Sequence, residues 1–144
     1  MSANAALASL IPRAHQMGVR FVEVRPGLVR AAVPADGNGN HFGVMYAGVT
    51  FTVAEVLGGA LALATFPAGT HYPVVKRMEI DFVAPGRSEL TATAALADDE
   101  IARLRAAARP GTKVPFVLVA EVVDADGRLV ARTRGDYQLR PIAS

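Results

Sequence analysis

The sequence contains no cysteine, so disulfides, thiolate nucleophiles and cysteine-ligated metal sites are all excluded. That absence fits a cytoplasmic protein. Aromatic residues make up only 6% of the chain, and the formal net charge is +2 with the arginines scattered. A nucleic-acid partner calls for a concentrated basic face and for rings that stack on bases, and neither is present. The N-terminal stretch lacks a basic start and its short apolar run is broken by Pro12, so it does not read as a secretory signal. Charged residues account for 19% against 51% hydrophobic, a core-rich balance for 144 residues. Such a length makes one domain, residues 1–144, the economical reading. No linker divides it and no internal repeat is visible.

Charge is scarcest between Phe42 and Phe66, where the chain reads FGVMYAGVTFTVAEVLGGALALATF and Glu55 is the only charged residue. A run of this length and polarity is long enough to span a bilayer. The central Glu55, Thr50, Thr52, the Gly58-Gly59 pair and the absence of flanking Lys or Arg clusters argue against that and for a core helix. A carboxylate in apolar surroundings is expensive to ionise. It is paired, protonated or put to chemical use, and perturbed carboxylates cluster at functional sites.

Around that segment the pattern is mostly strand. Residues 3–17 predict a short amphipathic helix with Leu7, Leu10, Ile11 and Ala14 on one face, ended by Gly18. Val19–Val24 and Leu28–Val33 read as a hairpin across Arg25-Pro26-Gly27, and Pro34–Asn40 as a loop. The apolar stretch Ala47–Phe66 predicts one helix, apolar nearly all round and therefore buried on all sides, stopped by Pro67 and Gly69. Val74–Val83 alternates, with Met78, Ile80 and Phe82 on one face. Glu89–Leu96 is extended, and Asp98 through Ala108 is a short helix with its acidic residues first, matching the helix dipole. Val114–Val123 and Leu129–Leu139 flank Asp126-Gly127, a hairpin signal.

The predicted class is α+β, an antiparallel sheet of five to six strands wrapped around one long buried helix. The strand Val114–Val123 is apolar on both faces until Glu121, and one helix cannot cover both faces of a sheet. A second copy of the chain is expected to cover the other, as a homodimer or homotetramer. His15 and His71 are expected to face solvent.

The approach to the long helix carries the chemistry: Asn40-His41-Phe42-Gly43-Val44-Met45-Tyr46-Ala47-Gly48, then Glu55. A helix N-terminus offers unsatisfied N–H groups and a dipole that favours negative charge, and small residues at Ala47 and Gly48 let a substrate approach it. Glu55 lies on the order of 12 Å further along the axis, too far for both to reach one reacting carbon within one chain. Two subunits with antiparallel helices bring the Glu of one to the helix start of the other.

This arrangement resembles the hotdog-fold acyl-CoA thioesterases, in particular the phenylacetate-pathway-type group. Their signature is Asn, two residues, Gly, two residues, His-Gly-Gly, then an acidic residue nine positions after the His. Asn40, Gly43, Tyr46-Ala47-Gly48 and Glu55 keep that spacing, with Tyr-Ala-Gly in place of His-Gly-Gly. The stretch Met78–Gly86 and the last hairpin are also similar.

The resemblance implies an acyl thioester substrate, no cofactor and no metal, and neither nucleic acid nor membrane as partner. It makes Glu55 the general base or the nucleophile, the Ala47 N–H the oxyanion donor with Gly48 beside it, and Asn40 the group that positions the carbonyl or the water. Tyr46 replaces the family His as a wall of the site. His41 lines the site, and Phe42, Met45, Phe51 and Leu57 form a wall for an acyl or aryl tail. Two alternatives follow from the same residues. His41 stands fourteen residues before Glu55, the spacing of hotdog 3-hydroxyacyl dehydratases, although their intervening prolines are absent. The altered Tyr46-Ala47-Gly48 also fits a non-catalytic acyl-CoA-binding protein.

Overall fold

The computed structural model describes residues 2–143. In chain order its elements are α1 (Ala3–Leu10), α2 (Pro12–Gln16), β1 (Arg20–Arg25), β2 (Leu28–Val33), α3 (Ala47–Thr65), β3 (His71–Phe82), β4 (Leu90–Ala95), α4 (Asp98–Ala107), β5 (Val114–Val123) and β6 (Leu129–Pro141). The six strands form one antiparallel sheet in the order β1-β2-β4-β5-β6-β3. The sheet curls around α3, whose Val53, Leu57 and Leu61 are fully buried against it. This is the hotdog architecture. By length and composition α3 could cross a membrane, but half of that stretch is buried inside the fold.

The C-terminal end of α3 is tied to distant elements. At its C-terminus Phe66 is extended and Pro67 follows, so the helix cannot continue. The Thr65 carbonyl, left open there, accepts from Arg105 Nε and Nη2 at 3.2 and 2.8 Å, and the Thr65 hydroxyl accepts from the Gly27 N–H at 3.0 Å. Arg105 of α4 thus caps α3, which fixes α4 at the C-terminal end of that helix.

Four details differ from the sequence reading. The N-terminal helix is two helices, broken at Ile11 because Pro12 opens the second one; Leu7 and Ala14 are buried while Leu10 is 73% exposed. His71 is buried, its Nε2 donating to the Thr112 carbonyl at 2.7 Å and its Nδ1 beside the Thr70 hydroxyl at 3.0 Å. Phe82 is exposed although Met78 and Ile80 pack on the core, because β3 pairs with β6 alone and its end lies at the sheet edge. Finally, α3 is not buried all round. Ala47, Phe51, Glu55, Gly59 and Leu63 recur at four-residue spacing and stay at least partly open. On β5, Val117 and Val119 face outward and are exposed in the single chain.

The adjacent glycines of α3 have opposite surroundings. A Cβ at Gly58 would overlap the ring edge and hydroxyl of Tyr137, which is buried and stacked on Phe116 with centroids 5.3 Å apart. A Cβ at Gly59 meets nothing. Gly58→Ala is therefore expected to destabilise by about 1–2 kcal/mol, since overpacking exceeds the gain in helix propensity. Gly59→Ala is expected to stabilise by roughly 0.5–1 kcal/mol. Thermal melts of the two variants, moving in opposite directions, check both.

Candidate active site

The loop before α3 is held by two asparagines. Asn38 is buried, donates from Nδ2 to the carbonyls of Met17 and Pro34 at 2.7 and 2.8 Å, and accepts the Tyr46 N–H on its own carbonyl at 2.8 Å. It ties the end of α2, the end of β2 and the start of α3 together. Asn40 builds the next turn: its Oδ1 accepts from the N–H groups of Phe42 (2.9 Å) and Val44 (3.3 Å), and its carbonyl accepts from Gly43 at 3.0 Å. Gly43 closes that turn at φ +76°, a conformation that favours glycine. Among the described residues the Asn40 Nδ2 has no protein acceptor.

These turns deliver Tyr46 as the N-cap of α3 and leave the Ala47 and Gly48 amides, in the first turn, without an acceptor among the described residues. A cleft of about 320 Å³ opens beside them. Asn40, Met45, Ala47 and Thr50 line it on one side, and the chain from Phe82 to Gly86 lines it on the other. The Met45 N–H donates across to the Gly86 carbonyl at 2.7 Å and fixes the two sides.

The predicted site residues thus fall into three groups. Asn40, Ala47 and Met45 come together at the cleft. His41 and Phe42 lie at the exposed loop tip with ring centroids 4.0 Å apart and planes tilted by 42°, and Tyr46 is exposed with its ring over Gly48, where a Cβ would approach Cε2 to 2.6 Å. Glu55 lies two turns further along α3 with Phe51 one turn before it, both half-buried. Leu57 is a core residue and walls no site.

Among the described residues no cation or hydrogen-bond donor holds the Glu55 carboxylate. Burial raises its pKa above the usual carboxylate range. A carboxylate with a raised pKa and no partner is a stronger base than an exposed one. Tyr137 lies close enough to feel it: burial first, and the Glu55 charge second, push its phenol up to about 12. Its proton stays on at neutral pH, so it adds no competing charge. Among the described residues no three His, Asp or Glu side chains converge as a metal centre needs.

Sequence reasoning missed Asn38, Thr50 and Tyr137. Asn38 sits in PADGNGN, where every residue suits a loop, and nothing local marks the one that is buried. Thr50 follows Ala47 by one helical turn, so the helical period could have placed it at the cleft. The approach of Tyr137 to Glu55 spans most of the chain and has no local signal.

A protein family described as "Domain of unknown function (DUF4442)" matches residues 2–139. The chain is similar to a Pseudomonas aeruginosa protein of unknown function described as a "probable thioesterase", with 36% identity, coverage of 97% of this chain and 94% of that one, and a TM-score of 0.90. It also shares its fold with a mutant thioesterase from Pseudomonas aeruginosa, at 20% identity, coverage of 96% and 91% and a TM-score of 0.77. A thioesterase from Haemophilus influenzae matches at 17% identity, coverage of 100% and 94% and a TM-score of 0.77. No curated protein matches the sequence.

Proposed function

The chain belongs to the DUF4442 family, within the hotdog-fold thioesterase-like superfamily, and from that premise we propose that it hydrolyses an acyl-CoA or related acyl thioester to the free acid and the thiol. The observation that carries the reading is Glu55, half-buried, unpartnered among the described residues and with a raised pKa, on the helix whose Ala47 and Gly48 amides have no acceptor among them. Names of similar proteins point the same way.

In this mechanism the thioester carbonyl oxygen lies against the Ala47 N–H, with the Tyr46 ring covering Gly48 beside it. Glu55 takes a proton from water as its oxygen bonds to the carbonyl carbon. The oxyanion of the tetrahedral intermediate is stabilised by the Ala47 amide and the helix dipole. Collapse breaks the C–S bond, the thiolate leaves, and the proton on Glu55 returns to it. In the covalent variant the Glu55 carboxylate itself attacks, gives a mixed anhydride and releases the thiolate, and water then hydrolyses the anhydride. The free Asn40 Nδ2 donates to the carbonyl or to the water.

The Ala47 and Glu55 of one reacting site come from two subunits. The cleft is bordered by Phe82, at the end of a strand whose outer edge is unpaired, and exposed edges recruit further strands. A second copy paired there, related by a two-fold axis, sets its α3 beside the cleft. Sedimentation is expected to give a multiple of the 15.1 kDa chain mass. The likeness to the phenylacetate-pathway-type group extends the substrate reading to aryl as well as alkyl acyl groups. The dehydratase alternative fits less well, since His41 sits at the exposed loop tip and not at the cleft with Asn40 and Ala47.

Thiol release from short, long and aromatic acyl-CoA thioesters, with Glu55→Gln alongside, tests the reading. Release that collapses in the variant supports it. Silence across the panel, or release indifferent to Glu55, overturns it.

A further inference from the structure

A second cleft, about 380 Å³, lies between α1, β1 and the C-terminal half of α3. Among the described residues its lining contains no polar or charged side chain; Leu10, Phe21, Val24, Val56, Gly59 and Leu63 define it. Leu10 and Leu63 stand at its lips, 73% and 61% exposed. An open apolar concavity of this kind marks a ligand or partner site.

Gly59 supplies an independent observation. A glycine inside a helix costs about 1 kcal/mol relative to alanine. At Gly58 that cost has a packing reason in Tyr137; at Gly59 nothing approaches the space a Cβ would fill. What the missing side chain creates there is the floor of the groove. Gly59 also follows Glu55 by one helical turn on the open stripe of α3, and Leu63 follows Gly59 by another. On α3 the groove lining starts at Val56, the residue after Glu55, and runs roughly 12 Å along the helix to Ala64.

We propose that the α1–α3 groove holds the hydrocarbon tail of the acyl group, with Gly59 as the residue that sets the accepted chain length. The proposal rests on the thioesterase reading of Glu55 and adds the substrate class, acyl groups with an extended apolar tail. The all-apolar lining offers nothing to phosphates, to the amides of a pantetheine arm or to a peptide backbone, each of which needs hydrogen-bond partners when buried. An alkyl chain needs none.

The test compares kcat/KM for butyryl-CoA and dodecanoyl-CoA in the native protein, Gly59→Leu and Leu63→Glu. Native kcat/KM is expected to rise by about fourfold per added methylene until the groove is full. Gly59→Leu fills the floor, and Leu63→Glu places a charge at the far lip on an already exposed position. Each is expected to lower the dodecanoyl-to-butyryl ratio at least tenfold, with melting temperatures confirming folded protein. Calorimetric binding of dodecanoate to the same three proteins gives a readout independent of hydrolysis. If no thioester is hydrolysed, the thioesterase reading fails alone, and dodecanoate binding lost in Gly59→Leu still supports the groove. An unchanged ratio, dodecanoate binding indifferent to both substitutions, or a change of oligomeric mass in their place overturns the proposal.

Discussion

Replacing Glu55 by Gln is expected to lower kcat for thioester hydrolysis by roughly 10²–10⁴ while raising the melting temperature at neutral pH. Both effects come from the same carboxylate. Burial raises its pKa, so the folded protein holds that proton more tightly than the unfolded chain does. Below the ordinary Glu range both states are protonated and the carboxyl costs nothing. As pH rises through the native pKa of Glu55 the charge must be carried half-buried with no partner, and that stability is lost. Gln never carries the charge. Its advantage is therefore absent in acid, grows as pH rises through that window and levels off above it, and it is small because the carboxylate is partly open to solvent. Native activity moves the opposite way, falling as acid protonates Glu55 below its raised pKa. Melts and kcat/KM profiles of both proteins from acidic to neutral pH check the pair of effects. A variant that melts lower at neutral pH, or keeps its rate, shows a carboxylate serving the fold and not the reaction.

That a lone charge stands in an apolar helix is legible in the sequence, because local contrast is enough to find it. The same holds for the strands, since period-two alternation and turn residues such as Pro26-Gly27 and Asp126-Gly127 are local signals. The structure keeps all of them within a few residues. What the sequence hides is set by partners far along the chain. The apolarity of α3 predicted burial on all sides, yet a six-stranded sheet that curls around a helix from one side leaves a stripe of it open. That stripe, with Glu55, Gly59 and Leu63, is where the chemistry and the groove are read. His71 looked like a surface residue because its acceptor at Thr112 belongs to the turn before β5. The roles of the two glycines are equally invisible locally, since Tyr137 and the groove distinguish them only in three dimensions.

Ala47→Pro is expected to leave the fold intact and to lower kcat by about 10²–10³, the loss typical of one oxyanion donor. Ala47 is the first residue of α3, where proline is favoured because its missing N–H has no intrahelical partner. Proline also requires the preceding residue to be extended, and Tyr46 already is, at φ −60° and ψ 133°. The substitution therefore deletes a donor that no group among the described residues uses, and its melting temperature should stay close to native. Ala47→Ser is the control for bulk, because it adds atoms at the cleft and keeps the N–H. It should retain most of the rate. Ala47→Pro also tests where the site is built. Dissociating and mixing it with Glu55→Gln, each inactive alone, gives hybrids in which one intact Ala47 amide faces one intact Glu55. With random reassociation about a quarter of native activity should return, since half of the dimers are hybrids with one of two sites restored. If both groups act within one chain, every chain in the mixture still lacks one of them, and mixing restores nothing.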